Sequence, residues 1–186
     1  MGRPSNRQER RRQILDAFAR VLANHGYAGA TIAAVALEAG VAPGLVHHHF
    51  ENKAELLSGL LQGLVSRFRE RVRRYRAAEA DELLAYVDGA LKLDGQADLL
   101  AARCWVGVFA EAVRNPTLFA QVRRLVDTEI AAIQQRAGRR FSPQDAGCLL
   151  AFIIGSLVLG SFAPRKTAGF AAPGLRRLVT AMRAGG

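Results

Sequence analysis

The sequence predicts an all-α protein, and three observations predict it. Apolar residues recur at three-and-four spacing along nearly the whole chain, which is the period of one helical face. No stretch alternates apolar and polar residues between turn pairs, as a half-buried strand does. Helix punctuation falls where the apolar stripes begin and end: Thr, Asn or Ser before them, Pro at first positions, Gly just past the ends.

Taken in order, Ile14, Phe18, Val21, Leu22 and His25 form the inward stripe of a first helix, which ends at Asn24–Tyr27 with Gly26 suited to a left-handed cap. Thr31 is the N-cap of a short second helix whose inner face is Ile32, Val35, Ala36 and Ala39. Gly40 breaks it. Pro43 opens a third helix reaching about Phe50, because proline has no amide hydrogen to lose at a first helical position. Asn52 caps a long fourth helix from Lys53 to about Arg76. Beyond residue 80 the stripes continue: Leu83, Leu84, Val87 and Leu91; then Leu99, Leu100, Val106, Phe109 and Val113, stopped at Asn115-Pro116. Leu118, Phe119, Val122, Leu125, Val126, Ile130 and Ile133 follow. A loop spans Gly138–Ser142, and Ser142-Pro143 starts a helix that carries no charge from Ala146 to Pro164. After a break at Gly169–Gly174, Leu175, Leu178, Val179 and Met182 mark a short last helix.

Composition narrows function. With 186 residues, 50% of them hydrophobic, the chain has material for a real core and is too apolar for wholesale disorder. The N-terminus lacks the apolar run of a signal peptide, which suggests a cytoplasmic protein. Two cysteines, Cys104 and Cys148, cannot make a disulfide scaffold, and their apolar neighbours suggest buried thiols. The net charge of +10 attracts a polyanion, and the first 80 residues are the more basic part. Its densest runs are Arg7, Arg10, Arg11 and Arg12, then Arg67 through Arg76.

Two short helices joined by a tight turn at Gly40 make a helix-turn-helix, whose second member enters the DNA major groove. On that member Val46 and Phe50 point inward with His49 beside them. Gly44, His47 and His48 are then left on the opposite face, with Pro43 at the tip. Thr31 and Lys53, at helix starts, are placed for phosphates. His47, His48 and His49 are consecutive and so point about 100° apart, which excludes convergence on one metal ion. No nucleophile, phosphate loop or paired-cysteine motif is present, so neither enzyme nor cofactor is expected.

Residues from about Gln13 to Leu57 resemble the DNA-binding domain of the tetracycline-repressor (TetR) family of bacterial transcription regulators. The likeness is carried by Thr31-Ile32-Ala33-Ala34-Val35-Ala36, Ala39-Gly40-Val41, Gly44, Phe50, Lys53 and Leu56-Leu57. The resemblance implies a homodimeric, ligand-responsive repressor on a palindromic operator. It would have a reader domain over residues 1–53 and a helical ligand and dimerisation domain over 54–186, with 53–76 as the linking helix. It also implies base or close backbone contacts at Pro43 and Gly44, and phosphate contacts at Thr31, His47, His49 and Lys53. Ala42 stands where the family usually has a capping Ser, and His47 where it usually has Tyr. Arg3 and Arg7 form a basic arm placed to reach the adjacent minor groove.

In such a protein the uncharged helix pairs with its copy in a four-helix bundle. The expected contacts are Leu149, Phe152, Ile153, Ser156 and Leu157, with Leu175, Leu178, Val179 and Met182 from the last helix. At 19 uncharged residues the segment also approaches the length of a membrane span. A membrane-tethered regulator, and a non-specific nucleoid-type binder, are therefore the alternatives. For a small-molecule pocket, Tyr86, Trp105, Phe109, Phe119 and Phe152 are the aromatic candidates. Trp105–Ala112 is weakly similar to the ligand domain of choline/betaine-pathway repressors, which would put Glu111 against a cationic ligand; the plainer reading pairs Glu111 with Arg114 on the surface.

Overall fold

The computed structural model describes residues 6–93, 95–138 and 141–184. Among them the regular elements are α1 (Asn6–Gly29), α2 (Ile32–Ala39), α3 (Pro43–His49), α4 (Lys53–Arg76), α5 (Glu82–Leu91), α6 (Gln96–Ala112), α7 (Pro116–Ala137), α8 (Pro143–Phe162) and α9 (Pro164–Ala184), with no strand.

Local chemistry sets the helix starts. The Thr31 hydroxyl accepts from the Ala34 amide, Asn52 from Glu55, Asp81 from Leu83 and Leu84, and Asn115 from Leu118, each satisfying first-turn amides that have no partner inside the helix. Ser142 and Asp145 bond reciprocally in a capping box at the head of α8. Gly40, at φ 65° and ψ 38°, takes the left-handed conformation that ends α2 and permits the tight turn into α3.

Side chains satisfy helix ends in the same region. Gln13 donates to the Ala39 carbonyl at the end of α2 (2.7 Å), and Lys53 donates to the Tyr27 carbonyl near the end of α1 (2.6 Å).

Two apolar clusters hold the molecule together. The first joins α1, α2, α3 and the first half of α4 to α6, with Leu118 of α7 and Leu157 of α8. Packing therefore continues straight across residue 53 into the C-terminal helices. The second joins Val72 of α4 to α5, Ile133, Phe141, the first half of α8, and α9. Where α4 crosses α5 the backbones nearly touch: a Cβ on Gly89 would lie 2.7 Å from the Val72 Cα.

Several expectations are corrected. The first helix breaks at Gly26 (φ 68°, ψ 178°), where its end was expected, but a further helical stretch follows to Gly29, and His25 beside the break is exposed rather than inward. Val113 and Phe119 leave their stripes and are 80% and 53% exposed. Val113 lies past the last turn of α6, and Phe119 sits one residue, about 100°, around from the buried Leu118. Cys148 is exposed; Cys104 is buried, which pushes its thiol up to about 11. The expected break at Gly169–Gly174 is absent, because α9 continues through Pro173, whose ring is exposed while Ala171 and Ala172 pack inward. Arg7 belongs to α1 rather than to an extended arm. Arg3 lies outside the described residues.

Candidate nucleic-acid interface and cavity

Because Val35, Ala36 and Ala39 of α2 and Val46 of α3 are drawn into the first core, the opposite side of α3 is free. Pro43, Gly44, His47 and His48 are exposed there, as is Thr31 at the start of α2. A Cβ on Gly44 would meet no atom within 4 Å, so the backbone is open to a close approach from outside. The Thr31 oxygen is used in capping, which leaves its hydroxyl hydrogen to donate outward. Lys53 is half-buried, with its ammonium 4.0 Å above the Tyr27 ring and one hydrogen on the Tyr27 carbonyl. Two hydrogens of that ammonium remain for a phosphate.

His49 departs from expectation. It is only 8% exposed and lies among the core residues, with no partner for Nδ1. Burial lowers its pKa, and the charges of His48, Arg7, Arg11 and Arg10 lower it further. Its ring is turned away from the face that carries His47 and His48, since helical geometry puts the third consecutive histidine about 200° from the first.

Between α4, α5, α6, α7 and α8 lies a cavity of about 60 Å³. Phe68, Tyr86, Trp105 and Phe109 give it aromatic walls, Ile153 and Leu157 close it, and Arg71 and Glu129 supply charge. Phe68 meets Tyr86 edge-on at 5.4 Å, and Trp105 stacks on Phe109 at 5.5 Å. The Tyr86 hydroxyl donates to Glu129 at 2.9 Å, and Arg69 approaches the same carboxylate from outside at 3.9 Å. Burial, the Glu129 charge and that hydrogen bond all raise the Tyr86 pKa, so the phenol remains a donor at any physiological pH. Arg71 donates from Nε to the Gly89 carbonyl (2.8 Å) and from Nη1 to Asp98 (2.8 Å), joining α4 to α5 and α6.

Of the expected pocket residues, Tyr86, Trp105 and Phe109 do line this cavity. The other three do not. Phe119 is on the surface; Phe152 packs against the second core; and Glu111 lies near Tyr27, whose pKa burial and the Glu111 charge raise. Glu129 and Arg71 were missed, although each interrupts an apolar stripe: Glu129 between Val126 and Ile133, and Arg71 after Leu64 and Phe68.

Most of the expected dimer contacts are occupied within the chain itself. Leu149, Ile153, Ser156, Leu157, Leu175 and Val179 are buried within the chain, because the apolar face of α8 is spent on α6, α7 and α9. Phe152 is half-buried, while Leu178 (50%) and Met182 (37%) are exposed as expected. The outward stripe also holds Leu159, Phe162 and Phe170. Cys148, Ala151 and Gly155 continue it as small exposed positions on α8. By length and composition α8 is able to cross a membrane, but its buried face belongs to both cores.

The profile described as "Bacterial regulatory proteins, tetR family" matches residues 14–60. The chain is 31% identical over 172 residues to the HTH-type transcriptional regulator BetI of Stenotrophomonas maltophilia, covering 85% of this chain and 87% of that protein. It is 28% identical over 158 residues to BetI of Escherichia coli, covering 81% and 80%. Among solved structures, a transcriptional regulator from Rhodococcus sp. Rha1 superposes with a TM-score of 0.82 at 24% identity, over 94% of this chain and 96% of that one. A transcriptional regulator from Saccharomonospora viridis, solved in complex with choline, superposes with a TM-score of 0.66 at 25% identity, over 93% and 94%.

Proposed function

The chain belongs to the TetR family of bacterial regulatory proteins, and from that premise we propose that α2 and α3 read an operator while the cavity holds the compound that lifts repression. The protein is a DNA-binding, ligand-responsive transcriptional repressor, and its relatives are regulators rather than enzymes. The observation that carries the DNA reading is the free face of α3, where Pro43, Gly44, His47 and His48 project from a helix whose other side is fixed in the core. Thr31 and the remaining hydrogens of Lys53 flank that face as phosphate donors. The site of action is the cytoplasm, where the DNA is.

Two copies pair through the outward stripe of α8 and α9, which sets the two α3 helices about one DNA turn, or 34–36 Å, apart on a palindromic operator. A ligand releases DNA to the extent that it binds better to a dimer with another spacing. Residues 53–76 connect the two events, since α4 begins at Lys53 and carries Phe68 and Arg71 into the cavity wall. Aromatic walls around the Glu129 carboxylate suit a compact cation, the chemistry of the choline held by the Saccharomonospora viridis relative.

The test is binding of the purified protein to its own upstream intergenic DNA and to a shuffled fragment of equal composition, at two salt concentrations. A preference of about a thousandfold or more that survives the higher salt is the expected result. Equal binding that collapses with salt would mark a non-specific polyanion binder instead.

A further inference from the structure

The basic run at the start of α1 suggests phosphate contacts, but the third of its arginines is engaged inside the protein. The Arg11 side chain donates from Nη1 to the carbonyl of His49, the last residue of α3. Its guanidinium carbon lies 4.1 Å from the centre of the Phe50 ring, and Nη2 is 3.3 Å from the Glu55 carboxylate in the first turn of α4. Glu55 in turn accepts from the Glu51 amide at 2.8 Å, while its own amide donates to Asn52. One planar cation on α1 thus grips the end of the recognition helix, the residue that caps it, and the start of the helix that leads to the cavity. Only three residues, Phe50 to Asn52, separate α3 from α4, so these contacts fix the angle between the two.

We infer that Arg11 is a positioning residue for DNA reading, with Glu55 as its counterpart: the pair sets the orientation of α3 on α4 and does not itself bind phosphate. The inference rests on the reading of α3 as the recognition helix. It makes a prediction of unusual sign. Glu55 is an acid beside a DNA-facing surface, so removing its charge should tighten binding to any DNA if electrostatics were all that mattered. If Glu55 positions α3 through Arg11, removing the charge should instead weaken operator binding while leaving shuffled DNA bound at least as well.

The experiment uses the full-length protein, its operator and a shuffled fragment, with Glu55→Gln, Arg11→Met, Arg11→Lys and the double variant Arg11→Met/Glu55→Gln. Dissociation constants are measured across a salt series, alongside melting temperatures. Each single variant is expected to lower the operator-to-shuffled ratio about tenfold, the size of one charge-assisted hydrogen bond. The double variant should be no worse than the poorer single one, because both remove the same contact. The salt slope of Arg11→Met should match the wild type. Arg11→Lys should not restore the ratio, since the His49 carbonyl and the Glu55 carboxylate are held by two separate nitrogens, Nη1 and Nη2, of one planar fork that a single ammonium does not supply.

A flatter slope in Arg11→Met by about one ion, with the ratio intact and Lys restoring affinity, would make Arg11 a phosphate contact and overturn the inference. Tighter operator binding by Glu55→Gln, or ratios unchanged in every variant, would overturn it equally. Should Arg11→Met melt below the assay temperature, Glu55→Gln decides alone, because its amide oxygen still accepts from Glu51. A wild type that shows no operator preference would instead sink the operator reading, and is recognised before any variant is made.

Discussion

Replacing Phe162 with Asp should split the dimer and leave each protomer folded. An aromatic side chain carries about 150–250 Å² of surface, and that of Phe162 is 80% exposed within the chain. Covering it against a partner returns about 3–5 kcal/mol per protomer at about 25 cal/mol per Å². A two-fold axis counts the contact twice, and Asp would add two carboxylates that must be dehydrated without a partner. Even half of this amounts to a weakening of at least about a hundredfold, since about 1.4 kcal/mol is tenfold. Sedimentation velocity on a dilution series should show a dimer for the wild type and a monomer of 20.1 kDa for the variant, with unchanged far-ultraviolet helicity. The variant Leu157→Asp gives the contrast. Leu157 is only 9% exposed and lines the cavity, so a charge there should lower the melting temperature rather than simply separate subunits. A Phe162→Asp protein that stays dimeric at every concentration would refute the interface.

Four further outcomes follow from the same geometry. Gly44→Ser should leave the melting temperature unchanged, since nothing lies within 4 Å of its Cβ, yet alter operator preference in a binding assay. Gly89→Ala should destabilise by about 2 kcal/mol or more in chemical denaturation, because its Cβ would meet the Val72 backbone at 2.7 Å. The lowered pKa of His49 means that the unfolded chain binds more protons than the native one as pH falls below about 6.5. Stability should therefore decline from that point until His49 itself titrates, and melting curves of His49→Phe should show a shallower slope over that window. Trp105 is the sole tryptophan and lines the cavity, so its fluorescence should respond to choline in the wild type; Glu129→Gln should remove the response.

The helices and their caps were legible because they depend on local chemistry. Thr31, Asn52 and Ser142 cap the amides that follow them whatever the rest of the chain does, and Pro43 starts a helix anywhere. The outward face of α3 was legible too, because Val46 and Phe50 had only one side on which to be buried. What failed depends on partners remote in sequence. An apolar helix such as α8 has no preferred outside until its neighbours are known, so its inner residues Leu149, Ile153 and Leu157 looked like an interface. The true outward positions, Leu159 and Phe162, lie near its end. Glu111 and Glu129 are both acids on apolar helices, and only the packing of α7 against α5 decides that Glu129 meets Tyr86.

The position of the cavity bears on how a bound ligand would act on DNA binding. Trp105 and Leu157 belong to the first core, with the reader helices; Tyr86, Leu150 and Ile153 belong to the second, with α5 and α9. The cavity thus sits on the seam between two packed bodies. Close-packed cores resist internal compression, so a ligand that needs more room would be accommodated by turning one body against the other. The second body is tied to α9 and its outward stripe: Arg176 bridges Glu79 and Asp88 at 2.9 and 2.8 Å, and Arg183 holds Asp81. In the proposed dimer it is the body that would stay with the partner subunit. The first body carries α3 and would turn relative to it. A small opening at the seam would become a larger displacement at α3, because Arg71 lies 18 residues along α4 from Lys53, about 27 Å of rigid helix at about 1.5 Å per residue. A rotation of about 5° over that length shifts its end by about 2 Å, enough to misplace two recognition helices that must fill successive grooves together.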